Sequence, residues 1–168
     1  MASDRELIAD VANGNDEAFR RLYDRFADRV YRYAYTILRA KHLAEEVVQE
    51  TMIGVWKGAS KFAGRSKVST WIFGIARNQA YSLVRKEIRT ERVPDISLVE
   101  PDPAPGIHRQ EEVARALDRL SEDHREVVFL TFYEGLSYGE IASILKIPTG
   151  TVKSRMFHAK RQLGEALT

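Results

Sequence analysis

Four of the chain's five prolines fall within one short stretch near its middle, "VPDISLVEPDPAPG" (93–106). Each proline removes a backbone donor and pushes its predecessor out of the helical region. Neither a helix nor a central strand can run through such a segment, and Asp95, Glu100 and Asp102 favour water around it. The reading is an extended acidic linker over 91–107, which leaves residues 1–90 and 108–168 to fold as two small domains. Extended at about 3.3 Å per residue, a linker of that length reaches roughly 50 Å.

Both flanking segments carry helical rather than alternating periodicity, so the predicted fold class is all-α. Ser3 and Glu6 have capping-box spacing and open a short helix with Leu7, Ile8 and Val11, which Gly14 ends. Asn15 or Asp16 caps the next helix. Its apolar positions (Phe19, Leu22, Tyr23, Phe26, Val30, Tyr33, Ala34, Ile37 and Leu38) form one stripe at three-four spacing. A third helix is expected from about His42 to Lys57 and a fourth from about Thr70 to Arg89, with Trp71, Ile72, Ile75, Ala76, Ala80 and Leu83 inward. Beyond the linker come a helix over 108–120, one capped by Ser121 and stopped at Gly135, and a final pair.

Composition narrows the chemistry. The chain has no cysteine, which excludes disulfides and thiolate metal sites. Its four histidines (His42, His108, His124, His158) are scattered, so no metal site and no cofactor are expected. No apolar run reaches the ~20 residues that cross a bilayer, and no signal-peptide layout opens the chain. These features suggest a cytoplasmic protein without membrane insertion.

The final pair lies in "YGEIASILKIPTGTVKSRMFHAKRQL" (138–163). Ser137 and Glu140 repeat the capping-box spacing, and Pro148 cannot continue that helix, so Thr149 is a candidate cap for the next. Ala142 is small where two crossing helices approach, with Ile147 and Val152 between them. This cap–turn–cap order is that of a helix-turn-helix, whose second helix lies in the DNA major groove. Outward positions of the second helix include Thr151, Lys153, Ser154, Arg155, Phe157, His158, Lys160 and Arg161. Cationic side chains neutralise phosphates, and residues near the helix start reach base edges. The bland alternative is a solvated basic helix closing a bundle, which leaves the small-residue crossing unexplained. Lys146 stands where such turns often have Gly and would carry a left-handed cost there.

Two stretches of the first segment also look like surfaces. Wound at 100° per residue, "HLAEEVVQETMIGVWK" (42–57) places Leu43, Ala44, Val47, Val48, Thr51 and Val55 on a core side. Glu45, Glu46, Gln49, Met52, Ile53 and Trp56 fall opposite. Apolar groups framed by polar ones mark a docking surface, whereas burial against a neighbouring helix is the plainer account of Ile53 and Trp56. "KFAGRSKVSTWIFGIARNQAYSLVRK" (61–86) interleaves Lys61, Arg65, Lys67, Arg77, Arg85 and Lys86 with Phe62, Trp71, Phe73 and Tyr81, without an acid. That mixture suits unpaired bases, which stack on aromatic rings while cations follow the backbone. Trp71 fits the core stripe, which leaves Phe62 as the expected exposed ring.

The stretches "AEEVVQETMIGVWK", "FAGRSKVSTWIFGIARNQAYSLVRK" and "LSYGEIASILKIPTGTVKSRMFHAKRQL", in this order and spacing, resemble the bacterial sigma factors of the extracytoplasmic-function group. Met52 departs from an aromatic residue often found there, and Lys146 departs at the turn. The resemblance implies a region-two domain, a linker threaded through RNA polymerase near the RNA path, and a region-four domain. It implies that Glu45, Glu46, Gln49 and Glu50, with Ile53 and Trp56 on the same helix face, meet core RNA polymerase. It further implies that Lys61, Phe62, Arg65, Lys67 and Ser69, backed by Arg77, Asn78, Tyr81 and Arg85, read and open the −10 promoter element. Thr151, Lys153, Ser154, Phe157 and His158 would face −35 bases, with Arg155 and Arg161 toward phosphates. An anti-sigma factor is an implied partner, and no catalytic residue is expected. The alternatives are a dimeric helix-turn-helix regulator on a palindromic operator, a nucleic-acid enzyme using the Glu cluster, and a protein adaptor without DNA binding.

Overall fold

The structure, a computed structural model, describes residues 1–89 and 108–167, with side chains over 1–89 and 112–165. The expected linker, 91–107, lies outside the described residues. Two compact units result, and among the described residues there is no strand.

The first unit contains α1 (Asp4–Ala12), α2 (Asp16–Leu38), α3 (Lys41–Gly58) and α4 (Val68–Arg89). Ser3 Oγ accepts from the Glu6 amide at 3.1 Å and Asn15 Oδ1 from the Ala18 amide at 3.0 Å, so each of the first two helices starts at a side-chain cap. The stripe on α2 buries Leu22, Phe26, Val30, Tyr33 and Ala34 completely or nearly so. Against it lie Val47 and Val55 from α3 and Ile72, Phe73, Ala76 and Ala80 from α4, while Leu7, Ile8 and Val11 of α1 cover one end. Tyr33 meets the Phe73 ring edge-on at 5.5 Å.

Several expectations are corrected here. Met52, placed outward at the sequence level, is 3 % exposed. The helix is packed by α2 on one side and α4 on the other, which widens its buried arc beyond a single stripe. Phe73, on α4, is buried beside Ile72 against Tyr33 of α2 and cannot stack on a base. Ile75 and Leu83, expected inward, are half-buried, whereas Tyr23 is exposed. α4 begins two residues before the expected Thr70, with Val68 in the core.

The second unit contains α5 (His108–Asp118), α6 (Glu122–Val128), α7 (Tyr138–Leu145) and α8 (Thr149–Leu167). Ser121 caps α6 through the His124 amide at 3.2 Å. The Arg125 guanidinium reaches back to the carbonyls of Leu117, Asp118 and Leu120 at 3.0–3.2 Å, satisfying acceptors at the end of α5. After Val128 the chain widens into one π turn, Phe129–Tyr133, closed by the Glu134 amide on the Phe129 carbonyl at 3.3 Å. That turn buries Phe129 and Leu130 and leaves Phe132 and Tyr133 exposed. Gly135, at φ +64°, then reverses the chain.

Ser137 caps α7 as anticipated, its Oγ accepting from the Glu140 amide at 3.1 Å, while the same hydroxyl donates to Glu140 Oε1 at 3.0 Å. Val152 is wholly buried and Ala142 nearly so, and the two helices pack together. Thr149 is the first residue of α8 rather than its cap: the Pro148 carbonyl accepts from Thr151 at 3.0 Å and Val152 at 3.3 Å. Lys146 adopts φ 57°, ψ 47°, the left-handed geometry that favours glycine. Lys146→Gly should stabilise this unit by about 0.5–1 kcal/mol, since relief of a 1–2 kcal/mol left-handed penalty outweighs the extra chain entropy glycine adds when unfolded. Scanning calorimetry checks the sign; a lower melting temperature would contradict it.

Candidate functional site

On α3, buried and exposed residues come in alternating doublets. Leu43–Ala44, Val47–Val48 and Thr51–Met52 point in, while Glu45–Glu46 and Gln49–Glu50 point out. Ile53 continues the outer face at 45 % exposure and Trp56 at 39 %. Trp56 also meets the ring of Phe19 edge-on at 5.3 Å. Trp56 is thus neither buried nor fully free, and Ile53 is the side chain with the clearer surface location. The helix presents carboxylates and a side-chain amide leading into an apolar end, suited to a partner that is basic beside one hydrophobic recess.

The loop after α3 is braced. A 3-10 turn (Ala59–Lys61) leads into it, and Phe62 lies at 5.1 Å from Trp71, both half-buried. Phe62 is therefore not the isolated exposed ring expected of it. Trp71 in turn rests on Gly58, where a Cβ would lie 3.0 Å from its Cζ2; on Gly54 a Cβ would lie 3.1 Å from Ile75. The sequence signal was "GVWKG", two small residues four apart that let α3 and α4 approach closely. Lys61, Arg65 and Lys67 are exposed and Ser69 is half-buried. Along α4, Asn78 and Arg85 are exposed, and the Arg77 guanidinium stacks 4.4 Å from the Tyr81 ring centroid. The cations and one half-buried aromatic pair border the same loop and helix, so a flexible polyanion with unstacked bases is the matching ligand class.

On α8, Val152, Met156 and Ala159 are buried, which turns Ser154, Phe157 and Arg161 outward, with Lys153 and Lys160 on one flank. Phe157 is 64 % exposed and meets His158 edge-on at 5.4 Å. Thr151 is half-buried at the start of the helix. Arg155 departs from its expected outward role: it is half-buried and paired with Asp123 of α6 at 3.7 Å. His158 stacks on His124 of α6 with 6.2 Å between centroids, and His124 Nδ1 lies 3.2 Å from the Gln162 amide oxygen. Sequence reasoning missed this flank because only the folded contact between α6 and α8 brings residues so distant in the chain together. The set that stays exposed is Lys153, Ser154, Phe157, His158 and Arg161, the last also 3.6 Å from Glu165.

Among the described residues no cluster of three His, Asp or Glu could hold a metal ion, and no helix is long and apolar enough to cross a membrane.

Comparison with known proteins agrees with this layout. The Sigma-70 region 2 family matches residues 22–90 and the Sigma-70, region 4 family residues 110–163. The ECF RNA polymerase sigma factor SigW of Bacillus subtilis is 28 % identical, over 97 % of this chain and 96 % of its own length. SigK of Mycobacterium ulcerans, likewise an ECF RNA polymerase sigma factor, is 31 % identical over 96 % of this chain and 91 % of its own. Among solved structures, CnrH in complex with the cytosolic domain of CnrY superposes with a TM-score of 0.73 at 26 % identity, covering 98 % of this chain and 96 % of CnrH. The sigma factor RpoE of Bartonella quintana, solved with the anti-sigma factor NepR, gives 0.73 at 29 % identity, covering 89 % and 96 %. With both regions in place and relatives aligned along nearly the whole chain, the protein belongs to the ECF RNA polymerase sigma factors of the sigma-70 family.

Proposed function

We propose that the chain binds core RNA polymerase, carries it to promoters, and helps open the −10 DNA without catalysing any reaction itself. Residues 1–90 act as region two, 91–107 as the tether and 108–168 as region four, in the cytoplasm where transcription takes place. The observation that carries this reading is the division of labour along one chain. One unit carries an exposed carboxylate-and-apolar face on α3, and the other a cationic, Phe-bearing face on α8. Glu45, Glu46, Gln49, Glu50 and Ile53, with Trp56 at the edge, contact the polymerase. Lys61, Phe62, Arg65, Lys67 and Ser69, with Arg77, Asn78, Tyr81 and Arg85 on α4, take the opened −10 strand. A flipped base costs a few kcal/mol of stacking and pairing, which this loop and the polymerase's own contacts must offset.

α8 enters the major groove at the −35 element. Arg161 holds a phosphate there and so, from the flank of α8, does Lys153, in place of the base contact the resemblance implied; Ser154, Phe157 and His158, with Thr151 at the helix start, face the bases. An exposed aromatic ring favours a thymine methyl group. Arg155 serves the fold of the unit through Asp123 instead of a phosphate. An anti-sigma partner covers the polymerase-facing surface until released, in keeping with the complexes in which CnrH and RpoE were solved.

Run-off transcription with purified core polymerase on a genomic promoter library tests the reading and yields the promoter preference. Defined start points that require the added chain are expected. Binding to a palindromic site without polymerase would favour the regulator alternative instead.

A further inference from the structure

The first turn of α1 joins two parts of unit one that are far apart in sequence. The guanidinium of Arg25 on α2 donates to Asp4 Oδ1 at 2.9 Å and to the Ala2 carbonyl at 2.6 Å, anchoring the start of α1. The neighbouring Arg5 extends the other way and donates from Nη2 to the Gly64 carbonyl at 3.1 Å, across 59 residues of chain. Gly64 sits at φ +71° inside the Lys61–Ser69 loop, and a Cβ there would come within 3.2 Å of Arg5 Nη1. The guanidinium therefore fits over the bare backbone of this glycine. From the opposite end, the loop is fixed by Phe62 on Trp71 and Trp71 on Gly58.

We infer that Arg5 is a positioning residue for the loop proposed above to capture the opened −10 strand. It sets where the Gly64 turn lies, and through that turn the placement of Phe62 and Arg65, before any DNA arrives. The advantage is pre-organisation: a loop already held in its binding shape loses less conformational freedom on capturing a strand. This inference rests on the proposed role of the loop and extends it to a helix that no base need touch. Arg5 is exposed and its hydrogen bond bridges separate segments, so its removal leaves the core of Leu7, Ile8 and Val11 intact.

The test uses full-length protein bound to core polymerase, with a promoter fragment selected by the run-off experiment. A 2-aminopurine placed in the −10 strand reports opening, and a short unpaired −10 oligonucleotide reports capture by anisotropy. Arg5→Ala should weaken oligonucleotide capture by about three- to tenfold, the net value of one ordinary hydrogen bond, since the exposed Arg5 guanidinium acts on the strand only through the loop. Affinity for a −35 duplex fragment and the melting temperature should not change. Arg5→Lys, which keeps a donor but loses the planar fork, should recover part of the loss. Phe62→Ala serves as the comparison. If Phe62→Ala impairs capture and Arg5→Ala does not, the inference on Arg5 is overturned while the loop's role stands. If neither variant impairs capture, the role of the loop falls and the inference with it. If Arg5→Ala lowers the melting temperature and −35 affinity together with capture, Arg5 is a general structural residue and the positioning claim is wrong.

Discussion

Ile53→Glu should leave the protein folded and weaken its association with core RNA polymerase by at least about thirtyfold, since a central interface anchor is worth 2 kcal/mol or more. Ile53 is apolar and 45 % exposed at the outer side of α3, the more exposed of the two large apolar side chains on that face. A carboxylate there must either remain solvated, which keeps the two surfaces apart, or enter an apolar contact uncompensated. It also extends an acidic row, Glu45, Glu46 and Glu50, so its effect on the partner's basic groups is not repulsion but misplacement. Trp56→Ala gives the contrast. Its ring meets Phe19 at 5.3 Å, so truncation should lower the melting temperature as well as polymerase affinity. Co-elution with core enzyme and a thermal melt separate the two cases. Wild-type affinity in Ile53→Glu would remove α3 from the polymerase interface.

How much of this was legible beforehand differs from element to element. The caps at Ser3, Ser121 and Ser137 were readable because a hydroxyl three residues before the amide it accepts from is a purely local device. The core stripe of α2 was nearly as plain, Tyr23 excepted, since its inward residues keep three-four spacing along the helix. α3 was less so. Its inward residues occur as doublets every four positions, and that repeat, followed one step further, would have put Met52 beside Thr51 in the core. A wheel divided into two halves conceals this, because a helix gripped from two sides has no such halves. Among the aromatics between cations, Trp71 read as core and Phe62 as exposed, with nothing local to set Phe73 apart. The contact with Tyr33 of α2 makes Phe73 core, and Trp71, close against Gly58, lies half-buried with Phe62 on it. The bridge from Arg5 to Gly64 had no sequence signal at all beyond a glycine in a loop, because its partners are 59 residues apart.

The same distinction decides which cations of α8 to reverse. Helix position alone would pair Lys153 with Arg155, but Arg155→Glu would set a carboxylate against Asp123 at the α6 contact and damage the unit itself. Arg161 is exposed opposite the buried Val152, Met156 and Ala159, and Lys153 is exposed on one flank of the helix, so changes there act on a ligand. Lys153→Glu with Arg161→Glu should lower affinity for a −35 duplex at least about a hundredfold, since two charge-assisted contacts of 1.5–3 kcal/mol each are lost. Core polymerase binding should persist, because α3 is untouched. Neutralising rather than reversing the pair should flatten the dependence of log affinity on log salt by about two, one counterion being released per phosphate contact. Phe157→Ala, by comparison, should leave that slope alone and relax preference among bases. Equal salt slopes for the wild type and the neutralised double variant would mean that neither cation reaches the backbone, and that α8 does not lie in the groove in this orientation.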